Sequence, residues 1–159
     1  MGLYRVSRNL EASIIEFLRD ELYGSWSNVK CEKTFSRVYD IDLPVILVRC
    51  GTTVHPRAQI GDNATMRTAT ILIDIFAEND GQRLDLKDWL IETIKNGCPY
   101  YEYEIVNGEI DEQTENGKIQ VREISDTPID FDVPKNNLEP HDRYRHLISI
   151  ECSLGKVEA

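Results

Sequence analysis

Apolar residues recur at helical spacing in two stretches of the chain. The first predicts a helix over residues 7–23, with Ser7 as its N-cap and Gly24 as its stop. The second predicts a helix over residues 83–95, which follows a predicted turn at Asn79-Asp80-Gly81. Each helix has one apolar stripe, so each is expected to pack one face against a sheet. The stripes are Leu10, Ile14, Phe17, Leu18 and Leu22 in the first helix, and Leu86, Trp89, Leu90, Thr93 and Ile94 in the second.

Other apolar residues alternate with polar ones or form short runs, which indicates strands. The run Val45-Ile46-Leu47-Val48 predicts a strand that is buried on both faces. Asn107-Gly108 favours a tight hairpin turn. The acidic residues 109–115, which lie between two Asn-Gly pairs, fit either a loop or an exposed edge. The predicted strands lie within 28–38 and at 44–50, 69–77, 100–106, 118–124 and 145–154.

Two long polar segments separate these elements. Residues 51–67 and residues 125–142 are predicted to be irregular, and the second contains three prolines. The predicted architecture is an α+β fold with a mainly antiparallel sheet of five to six strands. Two helices are expected on one face of this sheet, with two long extended loops. Residues 1–159 are predicted to form a single domain.

The charge of the chain is unevenly distributed. The net charge is -10, but residues 69–142 contain 18 Asp/Glu and only 6 Lys/Arg. Nucleic-acid affinity comes mainly from Lys and Arg, so this segment disfavours a DNA-binding surface. It does suit a surface that DNA passes without adhering. No apolar run is long enough for a transmembrane helix, and residues 1–10 lack the apolar core of a signal peptide.

The four cysteines are too far apart in sequence for a zinc motif. Cys31, Cys50 and Cys152 lie in strand-like patterns, and Cys98 follows the second predicted helix. Free thiols, mostly buried, in a reducing compartment are expected.

Candidate catalytic groups are sparse. The sequence contains no phosphate-binding loop, nucleophile elbow or HExxH motif. The best set for a metal-dependent nuclease is Asp74, Glu78 and Lys87, but Asp74 is better interpreted as a carboxylate satisfied by a partner. His141 and His146 fit a polar hinge with Arg–carboxylate contacts rather than a metal site. No catalytic, cofactor-binding or metal-binding residue is predicted, and the protein is not expected to be an enzyme.

The order of the elements along the chain resembles that of a known protein family. An amphipathic helix is followed by Asp42-Leu43-Pro44 and its strand, a polar loop, the strand through Ile71–Phe76, and a helix containing Leu86-Lys87-Asp88-Trp89-Leu90. This order over residues 3–97 resembles the lambda-type tail terminator family of long-tailed bacteriophages, also called tail completion or neck proteins. The final strand matches more loosely, and residues 100–142 depart from the family pattern as an elaboration.

The resemblance implies a structural virion protein. Such a protein forms a homohexameric ring that caps the tail tube, ends tube polymerisation and joins the tail to a head-side connector or stopper protein. DNA passes through the ring without sequence-specific binding. The resemblance implies no cofactor, no membrane partner, and a location in the neck of the virion after assembly in the host cytoplasm. The alternatives are another head–tail connector or tail tube component and, less favoured, a small metal-dependent nuclease.

Specific residues are assigned to these roles as predictions. Residues 51–68 and 125–142 are expected to act as assembly arms, because identical subunits in a ring make head-to-tail contacts. The acidic lumen is expected to be lined by Glu109, Asp111, Glu112 and Glu115. The candidate contacts between subunits or rings are His55, Arg57, Arg67, Tyr101, Pro134, Asn136, Arg143 and Tyr144.

Overall fold

The computed structural model describes residues 5–33, 35–57, 59–61 and 63–154. Its described part is an α+β fold with one six-stranded mixed sheet, as predicted. The strand order is β1-β2-β3-β6-β5-β4; β1 and β2 are parallel and all other neighbours are antiparallel. The elements are α1 (Val6–Ser25), β1 (Lys30–Glu32), β2 (Val45–Val54), β3 (Thr68–Phe76), α2 (Asp80–Ile94), β4 (Cys98–Val106), β5 (Glu109–Ile129), α3 (Pro140–Arg143) and β6 (Arg145–Ser153), with 3-10 turns at Phe35–Asp40 and Lys135–Asn137.

Helix α1 has the predicted apolar stripe but different ends. It starts at Val6 with no side-chain cap, so the prediction of Ser7 as N-cap is wrong. Ser7 instead lies in the first turn, where its hydroxyl accepts a hydrogen bond from Arg67 at 3.3 Å. Gly24 does not stop the helix, which continues to Ser25. Four stripe residues are buried and Phe17 packs beside them; the four are Leu10, Ile14, Leu18 and Leu22.

Two polar side chains of α1 are buried against the edge of β4. The Ser13 hydroxyl accepts a hydrogen bond from the Tyr101 N–H at 3.0 Å and lies 3.3 Å from the Tyr101 carbonyl, to which it donates. The Asn9 side-chain oxygen accepts from the Tyr103 N–H at 3.4 Å. These two side chains therefore satisfy backbone groups that an edge strand otherwise leaves open.

The same helix covers the other end of the sheet. The Arg19 guanidinium donates to the Cys31 carbonyl of β1 at 2.9 Å, and the Glu11 carboxylate accepts from the Cys50 N–H of β2 at 2.9 Å. Helix α1 thus contacts β1 and β2 at one end of the strand order and β4 at the other. The sheet must curl around the helix for both contacts to form.

Removing the Ser13 hydroxyl tests the contact between α1 and the edge of β4. Ser13→Ala leaves the part-buried N–H of Tyr101 without its acceptor, so we expect a loss of about 1–3 kcal/mol in the free energy of unfolding. Urea titration measures this change. Ser27→Ala, at an exposed serine, is the control and should change stability by less than about 0.5 kcal/mol. Equal effects of the two substitutions would show that α1 does not depend on this contact.

Two hydrophobic clusters pack on the sheet. The larger contains α1 and α2 side chains together with sheet residues such as Ile71, Ile73 and Ile150. The smaller contains Val38, Val45, Leu47 and Phe76. Strand β2 therefore contributes to both clusters, which confirms the prediction that it is buried on both faces. Placement of both helices on one face stays a prediction.

Several strand boundaries differ from the sequence prediction. The first strand is only three residues long, because residues 35–40 form a 3-10 turn. Strand β2 continues four residues beyond Cys50, so the predicted loop over 51–67 is shorter and begins after Val54. The loop itself contains one isolated bridge between Arg57 and Thr65. Positions 58 and 62 of this loop lie outside the described residues.

Helix α2 begins earlier than predicted. Residues 79–81 were expected to form a turn, but the Asn79 side chain accepts the Gln82 N–H at 2.8 Å and caps a helix that starts at Asp80. Leu86, Leu90 and Ile94 are buried, whereas Trp89 is only partly buried at the margin of the larger cluster.

The largest correction concerns residues 100–142. Residues 109–129 form a single 21-residue strand. Residues 109–115 are therefore an exposed edge strand and not a loop. The second Asn-Gly pair is a bulge within this strand, because Pro99 pairs with Lys118 and Tyr101 pairs with Glu115. Residues 125–129 are also strand, so the predicted irregular segment over 125–142 begins only at Asp130.

Candidate assembly surface

Strand β5 has two different partners along its length. Its residues 109–119 pair with β4, and its residues 120–129 pair with β6. The first half therefore forms a two-stranded hairpin with β4. Its other edge, on the β6 side, pairs with no strand of the described residues. The turn is the predicted one: Asn107 and Gly108 both have positive φ, at 54° and 82°, and Val106 pairs with Glu109.

This hairpin is strongly acidic. Residues 98–117 contain six acidic residues and no Lys or Arg. Within the described residues, none of these six carboxylates forms an ion pair with a cation. One is held by a neighbouring amide, because Asn116 donates to Glu102 at 3.0 Å. The six are Glu102, Glu104, Glu109, Asp111, Glu112 and Glu115.

Two of these carboxylates face each other across the hairpin. Glu104 pairs directly with Glu112, and both residues are exposed. Like charges at directly opposed positions destabilise a strand pair. The repulsion between these carboxylates therefore lowers the stability of the hairpin.

The four predicted lumen residues all lie on this hairpin. Glu109, Asp111, Glu112 and Glu115 are exposed residues of β5. The structure therefore brings them onto one element, although the sequence left the form of this region open. Their role in a lumen stays a prediction.

The predicted contact residues do not form one patch. His55 and Arg57 are exposed near the 55–67 loop, where His55 Nε2 lies 3.1 Å from the Thr53 hydroxyl. Arg67 is partly buried and donates to Ser7. Tyr101 is bound through its backbone to α1, and its ring lies 6.3 Å from that of Tyr103.

The remaining four contact residues are close together after β5. Pro134 and Asn136 are exposed, while Arg143 and Tyr144 are partly buried. Lys135 donates to the Arg143 carbonyl at 2.7 Å and lies 5.0 Å from the Tyr144 ring centroid. This segment is therefore anchored to the start of β6 by its own contacts.

The proposed nuclease residues do not converge. Asp74 is buried beside Arg145, with an oxygen–nitrogen distance of 3.5 Å, and lies 3.8 Å from Arg49. Burial raises the pKa of Asp74 above its usual value, although both arginines act to lower it. Lys87 pairs with Asp126 instead, at 3.7 Å, and Glu78 is exposed. Asp74 thus has arginine partners, as interpreted from the sequence, but its Oδ2 accepts no hydrogen bond within the described residues.

The hinge before β6 also matches its expected role. Arg145 contacts Asp142 at 3.3 Å, and Tyr39 donates to the same carboxylate at 3.1 Å. His141 Nε2 donates to the Ile41 carbonyl at 2.6 Å. These contacts hold the 3-10 turn at Phe35–Asp40 against α3.

Buried His146 makes two polar contacts that the sequence did not reveal. Arg83 donates to its Nδ1 at 2.7 Å, so Nε2 carries the proton that is donated to Asp126 at 2.7 Å. The hydrogen bond from His146 holds the pKa of Asp126 below its usual value, with help from Lys87 and against the effect of burial. This contact joins α2, β5 and β6.

The lowered pKa of Asp126 predicts an acid-dependent loss of stability. A carboxyl group whose pKa is lower in the folded state stabilises the fold above its unfolded pKa, near 3.8, and this contribution disappears as the pH falls through the lower folded value. Asp126→Asn keeps an acceptor for His146 but does not titrate. We expect a flatter dependence of unfolding free energy on pH below about pH 4.

Urea titrations across this pH range measure the effect. Asp85→Asn is the control, because this exposed carboxylate of α2 has no hydrogen bond or ion pair within the described residues. Identical pH profiles for wild type and Asp126→Asn would contradict the assignment.

The four cysteines are free, as predicted. Cys31, Cys98 and Cys152 are buried, and Cys50 is partly buried. Burial raises the pKa of each of the first three thiols to about 12, so they remain protonated near neutral pH.

No group of three or more His, Cys, Asp or Glu side chains in the described residues is arranged to hold a metal ion. None of the helices in this part of the chain is both long and apolar enough to cross a bilayer. No protein-family model matches the chain, and no curated protein matches it at a significant level.

Proposed function

We propose that this chain is a structural protein of the neck of a long-tailed bacteriophage. In this proposal six copies form a ring that caps the tail tube, ends its polymerisation and joins the tail to the head-side connector or stopper protein. The chain then lies in the virion after assembly in the host cytoplasm. No cofactor and no catalytic step are part of this function.

The acidic hairpin is the observation that carries the proposal. Its carboxylates lack cationic partners in the described residues, and Glu104 and Glu112 oppose each other at a cost in stability. Such a charge has a use where DNA must pass close by without adhering, because like charge repels the phosphate backbone. A ring with the hairpins directed inward gives this surface.

The covered strand edges agree with assembly by specific surfaces. Open edges promote uncontrolled pairing between chains. Here the outer edges of β1 and β4 are contacted by Arg19 and Ser13 of α1, so these edges are blocked from strand addition. Contacts between copies must then use surfaces other than these two edges, and the head-to-tail interfaces of a closed ring can do so.

Labelling of assembled particles tests the proposal. Antibody-gold labelling of phage particles whose genome encodes this chain is expected to place the label at the junction of head and tail. The control is the same antibody on tails assembled without this chain, which should remain unlabelled. Label along the tail tube would favour a tube component, and absence from particles that contain complete tails would contradict a virion role.

A further inference from the structure

The hairpin has one strand edge that the described part of the subunit leaves open. Residues 109–119 of β5 pair with β4 on one side only, because β6 pairs with β5 from Gln120 onward. The outer edges of β1 and β4, in contrast, are contacted by side chains of α1. Unpaired backbone groups along a strand edge are a template for an added strand.

The contacts between α1 and β4 show how the backbone of β4 is oriented. The N–H and C=O groups of Tyr101 bond to Ser13, and the N–H of Tyr103 bonds to Asn9, so both tyrosines direct their backbone groups to the helix. Successive residues of a strand direct these groups to opposite edges. The intervening residue Glu102 and the following one, Glu104, therefore direct theirs to β5.

Two residues of β5 direct their backbone groups to the open edge. The partners of the two β4 glutamates are Thr114 and Glu112, which bond back to β4. By the same alternation, the N–H and C=O groups of Gln113 and Glu115 are directed away from β4. Neither residue has a hydrogen bond to a described residue on that side. Two donors and two acceptors in this part of the chain are thus open to an added strand.

Four of the six hairpin carboxylates lie on one face of the two strands. Glu104 is opposite Glu112, and Glu109 is opposite Val106, which is two residues after Glu104. Residues two apart in a strand, and residues directly opposite in a pair, lie on the same face. This acidic face consists of Glu102, Glu104, Glu109 and Glu112. A strand added beside β5 would place every second side chain on it.

The charge of the acidic face selects the kind of strand that can be added. A second copy of the same edge would bring further carboxylates beside Glu112, and like charges at neighbouring positions destabilise pairing. Charged residues commonly protect an edge from such self-association. A segment with Lys or Arg at alternate positions meets opposite charge instead, which offsets the repulsion between Glu104 and Glu112.

We propose that the edge of β5 at Gln113 and Glu115 receives an extended segment of another protein, with Lys or Arg at every second position. The segment adds a strand beside β5. Backbone hydrogen bonds hold it, and its cations lie beside the carboxylates of the acidic face. The contact uses an edge of the hairpin and goes beyond the proposed ring, which it does not require.

Synthetic peptides test this edge on the full-length chain. A short peptide that alternates lysine and threonine should bind wild type in isothermal titration, and the same peptide with glutamate in place of lysine should not. Two further peptides keep every lysine but carry N-methyl groups, one on its lysine nitrogens and the other on its threonine nitrogens. Only one set of nitrogens faces β5 in an added strand. One methylated peptide should therefore bind about 10-fold more weakly or worse, and the other within about threefold of the parent peptide.

A proline at position 113 tests the same edge from the side of β5. Gln113→Pro removes an N–H that points to the open edge and takes no part in the pairing with β4, and a strand tolerates proline at such a position. Binding of the lysine–threonine peptide should weaken at least about threefold. Gln113→Thr keeps the N–H and is the matched control, with binding within about twofold of wild type. Urea titration checks that both variants fold.

Equal binding of the two methylated peptides would show attraction by charge alone and would overturn the proposal. Absence of binding to wild type would overturn it as well, since the edge is then guarded or already occupied. Binding that Gln113→Pro leaves unchanged, in a folded variant, would contradict the position of the contact. These measurements do not depend on ring formation, so a failure of the proposed function and a failure of this contact are distinguishable.

Discussion

Replacing Gly97 by alanine is expected to destabilise the protein by about 2–5 kcal/mol. Gly97 connects α2 to β4 with a φ of +79°, a conformation that costs an L-residue about 1–2 kcal/mol. A Cβ at this position would also collide with the backbone carbonyl of Ile119 in β5. Relief of that collision requires a backbone shift between α2 and the hairpin, for which overpacking costs of about 1–3 kcal/mol are typical.

Gly108→Ala is the matched control for this prediction. Gly108 has nearly the same φ, +82°, but nothing lies within 4 Å of the Cβ that alanine would add. Gly108→Ala should therefore lower the free energy of unfolding only by the conformational cost of the positive φ, about 1–2 kcal/mol. Urea titration of both variants measures the difference. Equal losses would show that the approach of Gly97 to Ile119 is not tight.

Reversing the charge of the hairpin should convert a surface that DNA passes into one that DNA binds. Replacing Glu109, Asp111, Glu112 and Glu115 by lysine places four cations per subunit on β5. We expect wild-type rings to show no measurable DNA binding. Variant rings should bind DNA with a steep salt dependence. For every tenfold rise in salt concentration, log K falls by about 0.9 for each phosphate that the lysines neutralise. Fluorescence anisotropy at several salt concentrations measures this.

The topology of the DNA shows whether the hairpins line a lumen. A linear duplex can thread a ring from its end, whereas a covalently closed circle cannot. The hairpin variant should therefore bind linear DNA and not closed circles. A control variant with lysine at four exposed acidic residues in and beside α2 should bind both forms equally; these are Glu78, Asp85, Asp88 and Glu92. Equal binding of circles by the hairpin variant would place the hairpins on the outside.

The helices and central strands were predictable because their apolar periodicity is strong. The stripe of α1 and the alternation in β6 correspond to the buried residues of the larger cluster. Asn107-Gly108 also gave the correct turn, since both positions need positive φ. The start of α2 was wrong because Asn79 was interpreted as a turn residue, although the same side chain also caps helices.

The hairpin and the edge contacts were harder to predict. The side chains of residues 109–115 include too few apolar residues to show a strand period, so the pairing with β4 determines the structure there. Asn9 and Ser13 look like ordinary helix residues; only the curl of the sheet brings β4 against them. His146 lacked a signal because its partners, Arg83 and Asp126, are 63 and 20 residues distant in sequence.

Among the site predictions, the four lumen residues were the most coherent, because they are neighbours in one strand. The contact residues were dispersed, since they were taken from two loops, one strand and the segment before β6, whose relative positions the sequence does not show.

The most direct test of the central claim is the symmetry of the assembled protein. Native mass spectrometry and electron microscopy of the purified chain, alone and with preformed tail tubes, measure its copy number and its place on the tube. The account predicts a six-fold ring at one end of each tube that prevents further addition of tube subunits. A chain that stays monomeric or dimeric in both samples and does not stop tube growth would contradict it.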